Sequence, residues 1–218
     1  MVNLEDNYRQ KGLRRILIEE LQKKGINSAL VLEAMLNVPR HLFFDKAFEE
    51  WSYRDNAFPI GCEQTISQPY TVAFQTSLLE LQPKDKILEI GLGSGYQACV
   101  LLEMGAKVYS IERHKDLYHK TVHRLKNMGY SGIRTVYGDG FLGLPRFAPF
   151  DKILITAAVE QVPEELILQL KPGGIMVLPL GSTHDAQVMT QVKKELDGKI
   201  SQKQFGNFRF VPMLTGKV

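Results

Sequence analysis

The run Glu89-Ile90-Gly91-Leu92-Gly93-Ser94-Gly95-Tyr96 carries the densest chemical signal in the chain. Glycines at alternate positions permit a tight turn with positive φ and let a ligand come against the backbone. A dinucleotide fingerprint needs a third glycine at position 96, where this sequence has tyrosine, and no lysine follows to hold phosphates. Two more acidic residues fall where later strands should end. Glu112 stands 21 positions beyond Gly91, and Asp139 lies within Gly138-Asp139-Gly140. A carboxylate at the first of these places can accept hydrogen bonds from both hydroxyls of a ribose. Glu89, Glu112 and Asp139 at successive strand ends suit a nucleoside with a cationic, non-phosphate tail. S-adenosylmethionine, with its sulfonium and amino group, meets that description. A purely structural reading makes Gly91, Gly93 and Gly95 a tight strand-to-helix turn; the positions of Glu112 and Asp139 favour the ligand.

A second chemical segment, Gln64-Thr65-Ile66-Ser67-Gln68-Pro69-Tyr70, concentrates hydroxyl and amide groups beside a proline. It reads as a helix start, with Ser67 capping and Pro69 in the first turn. It also reads as an anion site, because exposed amides at a helix N-terminus attract a carboxylate. The two readings are compatible.

The elements that must position these segments follow from periodicity. Leu13, Ile16, Leu17 and Leu21 recur at helical spacing up to Gly25, and a second amphipathic stretch, Ala29 to Val38, ends at Pro39. Trp51 to Tyr70 shows no sustained period and reads as a long ordered connection, of the kind that tends to be functional. A helix then runs from Pro69 through Val72, Phe74 and Leu78 to Leu81. From Pro83 onward apolar runs alternate with helices: Lys86–Ile90, Gly95–Met104, Lys107–Ile111, His114–Met128, Arg134–Tyr137, Lys152–Thr156 and Pro163–Leu170. That alternation predicts an α/β, doubly wound, mostly parallel sheet. The runs Ile175–Leu180, Ala186–Leu196 and Lys199–Phe210 have no helices between them, and Asp197-Gly198 is a hairpin signal, so antiparallel strands should finish one edge. The expected organisation is an N-terminal helical region with the Ser67 loop, 1–82, and a core with C-terminal strands, 83–218, in one unit.

Composition excludes several classes. The chain has 218 residues, 44% hydrophobic and 23% charged, with a formal net charge of +3. These values fit a globular protein and give no electrostatic footprint for nucleic acid or membrane. Cys62 and Cys99 lack metal or disulfide spacing. The start at Met1 is too polar for a signal peptide, and no apolar run approaches the ~20 residues of a membrane span. A cytoplasmic monomer with no metal is expected.

The block Ile60-Gly61-Cys62-Glu63-Gln64-Thr65-Ile66-Ser67-Gln68-Pro69-Tyr70 resembles the signature of the protein-L-isoaspartate O-methyltransferases. Val38-Pro39-Arg40-His41-Leu42-Phe43, Leu88 to Gln97, Tyr109 to Arg113, Gly138-Asp139-Gly140, Ala148 to Asp151, Gln169 to Gly174 and Phe210-Val211-Pro212 match in order. The resemblance implies a Rossmann-like methyltransferase fold, an S-adenosylmethionine donor and repair of isoaspartyl, and also D-aspartyl, sites in damaged proteins. It implies that Ser67 is the active-site residue, with Gln64, Thr65, Ile66, Gln68, Pro69 and Tyr70 forming the substrate loop. Glu89, Gly91, Gly93, Ser94, Gly95, Glu112, Arg113, Asp139 and Gly140 would bind the donor. One departure is Glu63, where the family usually has glycine; glutamate resists positive φ. Tyr70 stands where other members carry histidine.

Other residues attract blander readings. Pro39 should end a helix, and the Val38–His41 block should fix the helices against the sheet, although Arg40 could meet a negative charge. His114, His119 and His123 lack metal spacing and read as rim residues. Cys99 and Trp51 read as packing. A nucleic-acid methyltransferase lacks its Asn/Asp-Pro-Pro-aromatic or Pro-Cys motif here, and a dehydrogenase is disfavoured by Tyr96. A non-catalytic adenosyl-ligand sensor is disfavoured by the complete Ser67 loop.

Overall fold

The computed structural model describes residues 6–218, so the polar start at Met1 to Glu5 lies outside the described residues. Helix α1, Tyr8–Lys23, begins where the Asn7 side chain accepts from the Gln10 amide, and the chain turns away at Gly25, φ +92°. Its inward face is Arg14, Leu17, Ile18 and Leu21. Ile16, expected on that face, is 61% exposed, because the i, i+4 rows through positions 14 and 17 rotate it outward. Helix α2, Ala29–Asn37, is capped by Ser28 and stops before Pro39. Two short 3₁₀ turns follow, Arg40–Phe43 and Lys46–Trp51.

The segment expected to be a long connection contains a hairpin instead. Strands β1, Phe58–Gly61, and β2, Gln64–Ile66, pair antiparallel around Cys62 and Glu63. Strands this short leave no period to detect, and Cys62-Glu63 is not a residue pair that signals a turn. Both residues nevertheless adopt left-handed backbone, φ +51° and +56°, the combination a two-residue hairpin turn requires. Helix α3, Pro69–Leu78, ends earlier than expected, and Glu80, φ +50°, redirects the chain.

The rest is strand and helix in alternation: β3, Lys86–Ile90; α4, Tyr96–Glu103; β4, Lys107–Glu112; α5, Lys115–Asn127; β5, Arg134–Tyr137; β6, Phe150–Ile155; α6, Glu164–Gln169; then β7, Leu170–Leu180, β8, Gln187–Lys194, and β9, Ile200–Phe208. The seven strands lie in the order β5-β4-β3-β6-β7-β8-β9. Strands β3 to β7 run parallel and β8 and β9 antiparallel, with the β8–β9 turn at Asp197-Gly198. This is the expected Rossmann-like sheet with an antiparallel edge. Alternate residues divide between its two faces. Ile87, Val108, Leu154 and Val177 pack with residues of α1 to α4, while Leu88, Ile111, Ile153 and Met176 pack with Leu166 of α6. Full burial of each such side chain stabilises the fold by roughly 1.5–3 kcal/mol, so the sheet is a rigid base. Strand order reverses at β3, between β4 and β6, and ligands in open α/β sheets sit at such a point beyond the carboxyl ends.

Candidate active site

A cavity of about 770 Å³ lies at that place. Its floor is the glycine loop and the ends of β3 and β4; its walls are the Gln64–Gln68 segment and the stretch from Gly206 to Leu214.

The loop after β3 has φ +99°, +52° and +88° at Gly91, Gly93 and Gly95. A Cβ at Gly91 would run into Thr156 Oγ1, which itself donates to the Ile90 carbonyl at 2.9 Å. Thr156, at the end of β6, also lines the cavity, and sequence reasoning did not select it. Gly93 donates its amide to Glu112 Oε2 at 2.9 Å, and Thr121 Oγ1 donates to the Gly93 carbonyl at 2.6 Å. Gly95 is not on the wall; a Cβ there would press on Leu125 and Thr121 at 3.0 Å, so its smallness serves the packing of α5. Ser94 lines the cavity, its hydroxyl accepting from the Tyr96 amide at 3.2 Å.

The three carboxylates occupy different situations. Glu112 is 4% exposed, lines the cavity, and accepts from the His114 amide at 2.9 Å with its second oxygen. Glu89 is fully buried off the cavity wall, accepting from Ser110 Oγ. Desolvation raises its pKa to about 8, with the Glu112 charge adding and the Ser110 hydrogen bond opposing. The expectation that Glu89 faces the ligand is therefore corrected: it pairs with Ser110, two residues short of Glu112 on the same sheet face, and so lies beneath the loop inside the sheet. Asp139 also stands off the wall. It caps the turn Gly140–Leu142 through Phe141 N at 2.9 Å and accepts from the Gly216 amide at 2.6 Å. Gly140 does line the cavity, and a Cβ there would collide with Ile90.

Arg113 lines the cavity but spends its guanidinium on the C-terminal segment. Nε and Nη2 donate to the carbonyls of Gly216 and Thr215 at 3.2 and 3.1 Å. Lys115 N and Tyr137 OH donate to the Val218 carbonyl at 2.7 and 3.2 Å, and Val218 N donates to the Arg113 carbonyl at 3.0 Å. Residues 215–218 thus form a strap over the ends of β4 and β5. The wall from Gly206 to Leu214 was not promoted from sequence, although Phe210-Val211-Pro212 was a recognisable block.

Across the cavity, Gln64, Thr65, Ile66, Ser67, Gln68 and Tyr70 contribute to the opposite wall, while Pro69 is buried as the first residue of α3. The Ser67 cap expected from sequence does not form. Gln68 is the N-cap and makes no side-chain cap bond. Asp55 does the work from a distance, accepting from Tyr70 N at 2.7 Å and from Gln68 Nε2 at 3.1 Å, and pairing with Lys24 at 2.6 Å. Freed from capping, the Ser67 hydroxyl has no hydrogen bond among the described residues, while its carbonyl accepts from Arg40 Nη2 at 2.8 Å. Tyr70 stacks between Phe74 and Phe208, ring centroids 5.8 and 6.3 Å away, joining the loop to β9. Of the residues given blander readings, His114 reaches the cavity rim and Cys99 is core. Trp51, expected to pack inside, is 40% exposed with Arg54 over its ring at 3.8 Å. Among the described residues no group of His, Cys, Asp and Glu could hold a metal, and no helix is long and apolar enough to cross a membrane.

Comparison with known proteins adds three findings. The model of the family Protein-L-isoaspartate(D-aspartate) O-methyltransferase matches residues 13–218. A protein-L-isoaspartate O-methyltransferase of Cytophaga hutchinsonii is 54% identical over 211 residues, covering 97% of this chain and 95% of the relative; one of Christiangramia forsetii is 50% identical over 214, covering 98% and 100%. A solved protein-L-isoaspartate O-methyltransferase superimposes with TM-score 0.82 at 29% identity, covering 91% of this chain and 65% of its own. A Plasmodium falciparum structure solved with S-adenosyl-L-homocysteine gives 0.80 over 92% of this chain and 98% of its own; at 23% identity it speaks for the fold.

Proposed function

Because the chain belongs to the protein-L-isoaspartate(D-aspartate) O-methyltransferase family, we propose that this one cavity holds both partners of the family's reaction. That reaction is methylation of the free α-carboxylate of isoaspartyl residues, the first step of repair. The observation that carries the reading is the confrontation of two walls: Gly91, Gly93 and Glu112 on one side, Ser67 and its loop on the other.

The residues present fit S-adenosylmethionine. The Gly91 backbone has no room for a side chain, and Glu112 is a buried carboxylate on the cavity wall. When bound, the donor supplies a methyl group on a positively charged sulfur. Gly91, Gly93, Ser94, Glu112, Arg113 and Gly140 form its seat, and Glu89, Gly95 and Asp139 support that seat from behind. Ser67 is the catalytic residue, its hydroxyl holding the acceptor carboxylate while Gln64, Thr65, Ile66, Gln68 and Tyr70 cover it.

A carboxylate with an ordinary pKa near 4 is already ionised at neutral pH, so no general base is needed. One carboxylate oxygen takes the methyl carbon while the sulfur keeps the electron pair of the broken bond. The two charges cancel as the bond forms, so a water-poor pocket does not oppose the step. Positioning supplies the rate: orienting two reactants in advance is worth roughly 7–11 kcal/mol. Away from the protein, the neighbouring backbone amide nitrogen then attacks the ester carbonyl, loses its proton and expels methanol to give a succinimide, and addition of water to that ring returns part of it to aspartate.

One copy supplies both walls, which supports a monomer as the acting form, with the regions 1–82 and 83–218 working as one unit. Damaged proteins are its partners. A reducing, cytoplasmic setting suits two free thiols, one of them the exposed Cys62. Incubation with labelled methyl donor and peptides bearing L-isoaspartate, D-aspartate or L-aspartate tests the reading. Base-labile methanol from the isoaspartyl peptide and none from L-aspartate is expected; label on neither overturns it.

A further inference from the structure

Behind Ser67 lies a cation that the steps above do not use. Arg40 is completely excluded from solvent. Its Nε donates to the Ser52 carbonyl at 2.9 Å and its Nη2 to the Ser67 carbonyl at 2.8 Å. The head of the side chain lies over the Tyr96 ring, 4.6 Å from its centroid. Nη1 makes no hydrogen bond in the structure. No carboxylate among the described residues pairs with this guanidinium; Asp55 acts on it only at longer range and is itself paired with Lys24.

A buried charge without a counter-ion is expensive, and an apolar side chain of similar volume usually packs such a site at lower cost. Tying the 3₁₀ turn to the Ser67 loop requires hydrogen-bond donors; it does not require a full positive charge. Of the groups in contact with the guanidinium, Ser67 and Tyr96 face the cavity, while Ser52 and Phe44 lie away from it. The charge therefore sits one layer behind the place where the acceptor carboxylate arrives. By drawing on the Ser67 carbonyl it also polarises the Ser67–Gln68 peptide unit.

Building on the assignment of Ser67 to the acceptor, we infer that Arg40 is a positioning and specificity residue. Its buried charge selects an ionised carboxylate over a neutral carboxamide at the acceptor position. Methyl transfer removes the acceptor's negative charge, so the cation stabilises the bound acceptor more than the transition state. Loss of the cation should therefore raise KM and leave kcat unchanged or up to about twofold higher, never lower.

Arg40→Met and Arg40→Lys, assayed with an isoaspartyl peptide and with the matching peptide carrying a carboxamide as competitive inhibitor, test this. In Arg40→Met, KM should rise about tenfold with kcat unchanged or up to about twofold higher and the inhibitor's Ki unchanged, and Arg40→Lys should restore most of the difference. Calorimetry with S-adenosyl-L-homocysteine checks that each variant retains its donor site. Equal rises in KM and Ki, or no rise in KM, overturn the inference. Wild-type protein gives a second measurement should Arg40→Met not fold. It must favour carboxylate over carboxamide by about tenfold in both low and 0.5 M salt, since a buried charge is poorly screened; no preference, or one abolished by salt, refutes the inference. Failure of the wild type to methylate the isoaspartyl peptide is a separate result, and it removes the assignment of Ser67 itself.

Discussion

Glu112 Oε2 accepts a hydrogen bond from the Gly93 amide at 2.9 Å, joining the end of β4 to the loop that follows β3. The other oxygen accepts from the His114 amide at 2.9 Å. Each carboxylate oxygen has a second lone pair, so the same group that shapes the loop can also receive two ribose hydroxyls. On the proposed reading, donor binding and loop geometry therefore depend on one side chain.

Replacing Glu112 by alanine removes both functions. Affinity for S-adenosyl-L-homocysteine should fall at least about tenfold, because hydrogen bonds to a charged group contribute roughly 1.5–3 kcal/mol each. Isothermal calorimetry measures it, and unchanged affinity removes Glu112 from the donor site.

Ser67→Ala deletes a hydroxyl that no described residue engages, so the fold should tolerate it. Methyl transfer to an isoaspartyl peptide should drop about tenfold or more, with donor affinity kept. Steady-state kinetics beside calorimetry decides; equal activity excludes the hydroxyl.

Glu63→Gly addresses the left-handed turn at φ +56°. Relief of backbone strain, offset by the greater freedom of glycine when unfolded, should leave a net gain of about 1 kcal/mol, or roughly 2–4 °C in Tm. Thermal unfolding that shows a loss instead would mean Glu63 makes a compensating contact.

Glu89 gives the protein a pH dependence of definite sign. Its folded pKa is raised to about 8 from a reference of 4.5. Between those values the folded chain holds a proton that the unfolded chain has released. The stability this carboxyl contributes is complete below 4.5 and is lost as pH climbs towards 8. Glu89→Gln mimics the protonated form and should gain on wild type across that window. Urea unfolding at pH 5 and pH 8.5 tests it, and a constant difference between the two proteins would show that Glu89 is ionised in the fold.

Arg113→Ala cuts two bonds to the strap, at Gly216 and Thr215. Amide exchange at 214–218 should quicken, and S-adenosyl-L-homocysteine should dissociate several-fold faster, since these bonds are worth about 1 kcal/mol at a partly exposed site. Unaltered exchange and dissociation would mean the strap is held by Lys115, Tyr137 and Asp139 alone.

The amino-acid sequence by itself determined the parts whose signals are local. Alternating runs from Lys86 onward specify parallel strand-helix units, Asp197-Gly198 specifies the antiparallel edge, and Gly91-Leu92-Gly93 ahead of Glu112 marks the floor of the cavity. Each depends on spacing within some twenty residues, which a linear pattern displays. Tertiary structure decided what depends on groups far apart in the chain. Asp55 caps the helix at Tyr70, Arg40 reaches Ser67, and Asp139 meets Gly216. None of these partners has a periodicity or motif that points to the other; packing against the sheet brings them together. The same packing hid Glu89, which shares a sheet face with Glu112 but lies two residues deeper, and how far down a strand the cavity reaches is set by the loops above it.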